Sequence, residues 1–252
     1  MTRRLIFTVD VDRDVNIKIE GKDAAGSIDR GNGTNPRFVS SEEGLRIILD
    51  MLDGIGVKGT FLMEGRTAET IDCLSLSGHC IGFHGYDHED LTTVSDPESV
   101  MRRGYEAVKD NVSTPVCFRA PYMSIDDRVY GVLSSLGIRH DSSVYAEPGV
   151  PSYKVGDVTE HPVAKGKDKD GRTIAAYLWP LHEGKRGYGD YVDLARSMGD
   201  GDLILSTHSW HMVERRESGR MSEEDIGKNL EDVKKVIDLI LDEGFRPAVL
   251  TE

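Results

Sequence analysis

The chain is 252 residues long, enough to bury a full apolar core without disulfide staples. Its 31 basic and 44 acidic residues leave a formal charge of −13, spread along the sequence, which argues against nucleic-acid phosphate as a partner. Three cysteines (Cys73, Cys80 and Cys117) without C-x-x-C spacing exclude a disulfide framework and fit a reducing cytoplasm, and no stretch approaches the ~18 apolar residues of a membrane span.

Leu5 to Val11 reads as a buried parallel strand, apolar on both faces until Asp10. The apolar run ends at Asp10, too short for the ~7–15-residue apolar core of a signal peptide. Asp10 and Asp12 alternate around Val11, so a continuing strand points both carboxylates the same way. Residues 13–39, punctuated by Gly21, Gly26, Gly31, Gly33 and Pro36, have no sustained period and read either as a substrate-contacting wall or as disordered chain. Ser40-Ser41-Glu42-Glu43 resembles a capping box for a helix that Gly54 or Gly56 ends.

Lys58 to Met63 is the next predicted strand, Thr67 to Leu76 a helix, and His79 to Phe83 a strand leading into His84-Gly85-Tyr86-Asp87-His88. Asp96-Pro97 opens a helix to about Asn111. Val116 to Arg119 follows as a strand, Ile125 to Leu136 as a helix stopped by Gly137, and Ile138 to Asp141 as a strand. Pro148 to Gly171 reads mostly as loop, Ile174 to Trp179 as a strand, Tyr191 to Met198 as a helix and Leu203 to Thr207 as a strand. The longest helix opens at Ser222 and runs to about Glu243, with Pro247 to Leu250 as a closing strand.

Some seven or eight strand–helix alternations without repeat or linker give one domain over residues 1–252, a parallel α/β barrel or a doubly wound sheet. Chemically able residues recur where strands finish: Asp10, His84, Arg119, Asp141 and His208. In a barrel those ends open on one face. His84 and His88 are spaced to meet one cation, and a third ligand is expected from the carboxylates of Thr8-Val9-Asp10-Val11-Asp12. Gly85 stands where a thermolysin-type zinc motif requires Glu, and the spacing lacks the His-x-Asp pair of two-histidine, one-carboxylate iron sites.

Taken together, these residues resemble the polysaccharide deacetylase family (NodB homology, carbohydrate esterase family 4). Thr8 to Asp12 is similar to its first motif, His84 to His88 to its metal motif, and Arg119-Ala120-Pro121-Tyr122 to its third. Asp141-Ser142-Ser143 and Leu205-Ser206-Thr207-His208 resemble the fourth and fifth, all in the family's order. Val11 between the two Asp residues resembles the D-x-D branch, with its peptidoglycan-deacetylase-like and allantoinase-like members.

The resemblance implies a distorted (β/α)7, TIM-like barrel that hydrolyses an N-acetyl amide on an amino sugar and releases acetate. It implies that His84, His88 and one N-terminal Asp hold a divalent ion, zinc ahead of cobalt, nickel, manganese or iron. Asp10, deeper in the strand, is expected as the ligand and Asp12 as the base, with Arg119 tethering the base and His208 protonating the leaving amine. Tyr122, Asp141, Leu205 and Trp210 are expected on the substrate side, with Trp179 beside them; Asp141 also suits a turn cap. The alternatives are hydrolysis of a cyclic amide or ureide, and a carbohydrate-binding relative without activity. The expected partner is a carbohydrate or small amide, with homo-oligomerisation left open, and the expected location is the cytoplasm.

Overall fold

The structure is a computed structural model that describes residues 3–14, 36–73, 76–216 and 218–252. Most of the stretch read as wall or disorder, residues 15–35, lies outside the described residues. The first half of the chain alternates strand and helix: β1 (Arg4–Val11), α1 (Val39–Ile55), β2 (Thr60–Met63), α2 (Gly65–Ala68), β3 (Cys80–Phe83), α3 (Pro97–Asn111), β4 (Cys117–Phe118), α4 (Asp127–Ser135) and β5 (His140–Asp141). A run of short strands follows: β6 (Tyr145–Ala146), β7 (Tyr153–Val155), β8 (Val158–Glu160), β9 (Val163–Lys167) and β10 (Thr173–Ala175). The chain closes with α5 (Trp179–His182), α6 (Tyr188–Ser197), β11 (Leu203–His208), the β12–β13 hairpin (Glu214–Arg215, Gly219–Arg220), α7 (Glu223–Asp242) and β14 (Arg246–Ala248).

The main sheet runs β11-β1-β2-β3-β4-β5-β8-β7, with β14 also on β1, and every pairing but β7–β8 is parallel. A β10-β9-β6 sheet continues the curl, and Tyr177 connects that side to β11 through Ser206 N–H to Ala176 O and Leu178 N–H to Ser206 O, 2.8 Å each. The result is the curled (β/α)7 barrel that the family resemblance implied, one of the two architectures the alternation left open. Leu5, Phe7, Val9 and Val11 of β1 are all buried, while Thr8, Asp10 and Asp12 alternate onto the other face, where Thr8 Oγ1 donates to Ser206 Oγ at 2.8 Å. Polar side chains thus fill the barrel interior at the strand ends, and the apolar layer packs between sheet and helices.

Four readings are corrected by the fold. Of the helix expected from Thr67 to Leu76, the described residues hold only the end of the single turn α2, which closes at Ala68, and residues 74–75 lie outside the described residues. The expected loop from Pro148 to Gly171 contains β7, β8 and β9; Gly156-Asp157 is a two-residue hairpin turn with Gly156 at φ +58°, a signal present in the sequence. The strand expected from Ile174 stops at Ala175, and Trp179 and Pro180 open α5. The Ser40–Glu43 capping box is absent: α1 begins at Val39, and Ser41 N–H donates to the Asp14 carboxylate at 2.8 Å.

Candidate metal centre and active site

Four strand ends and two loops build the site. The ladder carries β3 into His84, whose N–H donates to Met63 O at 2.8 Å, and β4 into Arg119, whose N–H donates to Phe83 O at 3.2 Å. His208 ends β11 in register with Asp10 of β1. Beyond His84 the backbone turns sharply, with Gly85 at φ +69° and His88 at φ +57°. That loop is fastened from outside: Gly65 and Arg66 N–H donate to the carbonyls of Gly85 (3.1 Å) and Tyr86 (2.8 Å), and the Glu89 carboxylate accepts from the N–H of Tyr86 and Asp87. Arg13 bridges buried Glu64 and Asp87. Helix α3 reaches the loop through Gly104, where a Cβ would lie 2.3 Å from Gly85 O.

The turn brings Asp12, His84 and His88 together. One ligand atom from each falls within 4.8 Å of the others, all three residues are buried, and His88 Nε2 stands 3.3 Å from Asp12 Oδ2. The His84 Nδ1–H donates to Arg119 O at 2.8 Å, which leaves its Nε2 lone pair for a cation. Burial pushes both imidazoles down, His88 to about 4, so both are neutral at pH 7, the form a metal needs. Two neutral imidazoles and one carboxylate, buried and convergent, fit a divalent ion of the zinc class.

Asp10 has different company. Its Oδ1 accepts from Arg119 Nη1 at 2.9 Å and its Oδ2 from the Tyr177 hydroxyl, with His208 Nε2 3.9 Å away. Burial alone would push this carboxyl up, but Arg119, His84 and His208 outweigh it and hold it below the usual carboxylate range. Arg119 is fully buried and fully engaged: it also donates to Thr8 Oγ1 (3.0 Å), Ser142 O (2.8 Å) and Ser142 Oγ (3.0 Å). Burial pushes His208 well down, against the pull of Asp10. The carboxylates are therefore grouped the other way round from the expected roles, with Asp12 on the histidine pair and Asp10 on Arg119 and His208.

A pocket of roughly 370 Å³ opens over this centre, walled by Tyr122, Met123, Tyr145, Tyr177 and Trp179. Tyr122 and Trp179 stand where the substrate side was expected. Three other candidates do not line it. Leu205 lies on the β11 face opposite Ser206 and His208, buried in the apolar layer. Trp210 is buried past the strand end, tilted on His208 and stacked on His211. Asp141 is buried beneath the site, accepting from Ser143 Oγ at 2.7 Å. Its neighbours Ser142 and Ser143 serve the site indirectly, by holding Arg119 and accepting from Ala120 N–H at 2.8 Å.

Residues 22–140 match the family model described as polysaccharide deacetylase. Over that stretch, just under half of its length, the chain is similar to the polysaccharide deacetylase family. Over 99 residues it is 33% identical to chitin deacetylase 1 of Cryptococcus neoformans var. grubii, covering 36% of this chain and 21% of that protein. Over 145 residues it is 26% identical to a peptidoglycan deacetylase of Helicobacter pylori, covering 54% and 47%. The chain thus spans less than half the length of these curated relatives. A crystal structure of a candidate polysaccharide deacetylase from Mycobacterium smegmatis superposes on the whole chain and 94% of its own, with TM-score 0.61 and 22% identity, which establishes the fold.

Within this barrel, the residues missed in the sequence are Tyr177, Tyr145 and the Arg13–Glu64–Asp87 bridge. Tyr177 was placed inside a strand, but no local spacing links it to a carboxylate 167 residues away. Glu64 follows β2 as His84 follows β3, so a search of every strand end finds it.

Proposed function

We propose that the chain is a metal-dependent hydrolase that removes the acetyl group from an acetamido sugar. One observation supports this above the others: His84 and His88, clustered with the buried Asp12 behind them, line the same pocket as the buttressed Asp10 carboxylate and a further buried histidine, His208. Asp12, His84 and His88 would hold the ion, which when bound polarises the amide carbonyl and acidifies a water. Asp10, with both oxygens oriented by Arg119 and Tyr177, takes the proton of the attacking water. His208 is neutral at rest and cannot begin as the acid. His208 Nε2 lies 3.9 Å from Asp10, too far for direct transfer but within reach through one water, by which the proton passes to His208 and then to the departing amine. The Tyr122 turn, left-handed at φ +59°, borders the pocket where backbone N–H groups would meet the oxyanion.

A second reading, hydrolysis of a small cyclic amide or ureide, is favoured by the shape of the pocket. Tyr122, Met123, Tyr145, Tyr177 and Trp179 wall the pocket closely, whereas a polymer calls for an open groove. The test is acetate release from N-acetylglucosamine oligomers, with metal content measured on the same sample. Acetate that disappears with a chelator and returns with zinc supports the first reading. Turnover of a ureide without acetate release decides for the second, and metal-free protein that remains fully active overturns both.

A further inference from the structure

Tyr145 on β6 borders both the active-site pocket and a second hollow of about 780 Å³, whose rim carries Glu147, Lys165, Lys167 and Thr173. Strand alternation puts Lys165 and Lys167 on one exposed side of β9, with Gly166 buried between them. The Lys165 ammonium sits over the Tyr145 ring, 4.8 Å from its centroid. The hydroxyl end of the same ring is buried in the field of Arg119 and Asp10, and burial pushes the phenol up to about 12. The ring therefore borders the pocket that Asp10 lines and also carries an exposed cation.

Charge makes this pair unusual in its own chain. The formal charge is −13, yet this rim sets two ammonium groups against one carboxylate, Glu147. Lys167 Nζ donates to Thr173 Oγ1 at 2.8 Å, and neither lysine makes an ion pair among the described residues. On the opposite wall of the pocket, the Trp179 ring carries the Arg216 guanidinium at 4.4 Å and the Lys185 ammonium at 5.8 Å, with Arg216 itself 3.7 Å from Glu183. A neutral sugar gains little from desolvating ammonium groups, whereas a carboxylate or phosphate gains charge-assisted hydrogen bonds from them.

We propose that Lys165 and Lys167 form an anion subsite, and that the substrate carries a carboxylate or phosphate about one sugar ring away from its scissile amide. The position of that amide rests on the hydrolase reading above; the subsite does not. Deacetylated sugars separate the two, because they bind without turning over. The zinc-loaded protein is titrated by calorimetry with glucosamine, muramic acid and glucosamine 6-phosphate at about 20 mM salt, where screening is weak. One or both anionic sugars are expected to bind at least about fivefold tighter than glucosamine, and the tighter of the two identifies the anion.

The advantage should vanish in Lys165→Ala/Lys167→Ala and invert in Lys165→Glu/Lys167→Glu. Both lysines are exposed, and matched thermal melts confirm that the variants fold. Equal binding of all three sugars, or a preference that survives both double variants, overturns the subsite. Acetate release from the N-acetylated forms is scored separately: charge-selective binding without acetate from any of them strikes the hydrolase reading alone.

Discussion

Val11 separates two carboxylates with unlike surroundings. Asp10 is held by a guanidinium and a phenol, which keep it ionised and occupied, whereas Asp12 faces two neutral imidazoles. Asp12→Asn should therefore lower zinc affinity by at least ~10-fold, measured by competition with a chromophoric chelator. Asp10→Asn should keep zinc at full stoichiometry and lose about 10²–10⁴ in kcat. The opposite pattern would restore Asp10 as the ligand. Tyr177→Phe should also keep its zinc while acetate release falls by roughly tenfold in kcat/KM, because Asp10 loses one of its two anchors. The period of β1 made it legible that both acids share a face. Which of them meets the histidines depends on the positive φ of Gly85 and His88, which no residue spacing reveals.

At the scale of elements, the histidine loop is clamped between α2 and α3. A methyl group at Gly104 would collide with backbone, the Gly85 carbonyl, rather than with a side chain able to swing aside. Gly104→Ala should therefore cost about 1–3 kcal/mol of stability by overpacking and weaken zinc binding through the displaced loop. Chemical unfolding with and without zinc measures both effects. Locally encoded features of these elements were legible: Asp96 caps α3 by accepting from Ser99 N–H at 3.1 Å, with Pro97 at the first turn, as its dipeptide implies. The α1 cap was not legible, because its carboxylate, Asp14, comes from 27 residues away and across the end of another element. The β7–β8 hairpin was encoded by Gly156-Asp157 but hidden by the polar residues around it.

At the scale of the whole molecule, the barrel encloses an acid pair that sets its response to pH. Burial and then the Glu160 carboxylate push Asp141 well above the usual range, while Glu160 accepts from the Tyr130 hydroxyl and from the N–H of Ser143 and Val144. The sign follows from proton uptake. Folded Asp141 holds its proton where the unfolded chain has released it, so this stability is complete below about pH 3.9 and is lost as pH rises through the folded pKa. Asp141→Asn keeps the shape and a donor toward Glu160 without the titration. Relative to the parent, it should gain stability as pH rises from about 4, by up to ~1.4 kcal/mol per pH unit, measured by urea unfolding at several pH values. Equal pH slopes for the two proteins would place Asp141 ionised. Alternation narrowed the fold to a parallel barrel or a doubly wound sheet and the motif resemblance chose the barrel, but this pair was not legible, since β5 and β8 meet only through the parallel ladder.

Arg119 carries one more implication. Its guanidinium gathers groups from the start of the chain (Thr8 and Asp10) and from the turn after β5 (Ser142) around a single buried plane, so no half-assembled barrel presents the carboxylate correctly. Loss of catalysis in rising denaturant should then coincide with loss of far-UV ellipticity in one cooperative transition. Inactivation at distinctly lower urea than unfolding would show that the keystone loosens before the arch.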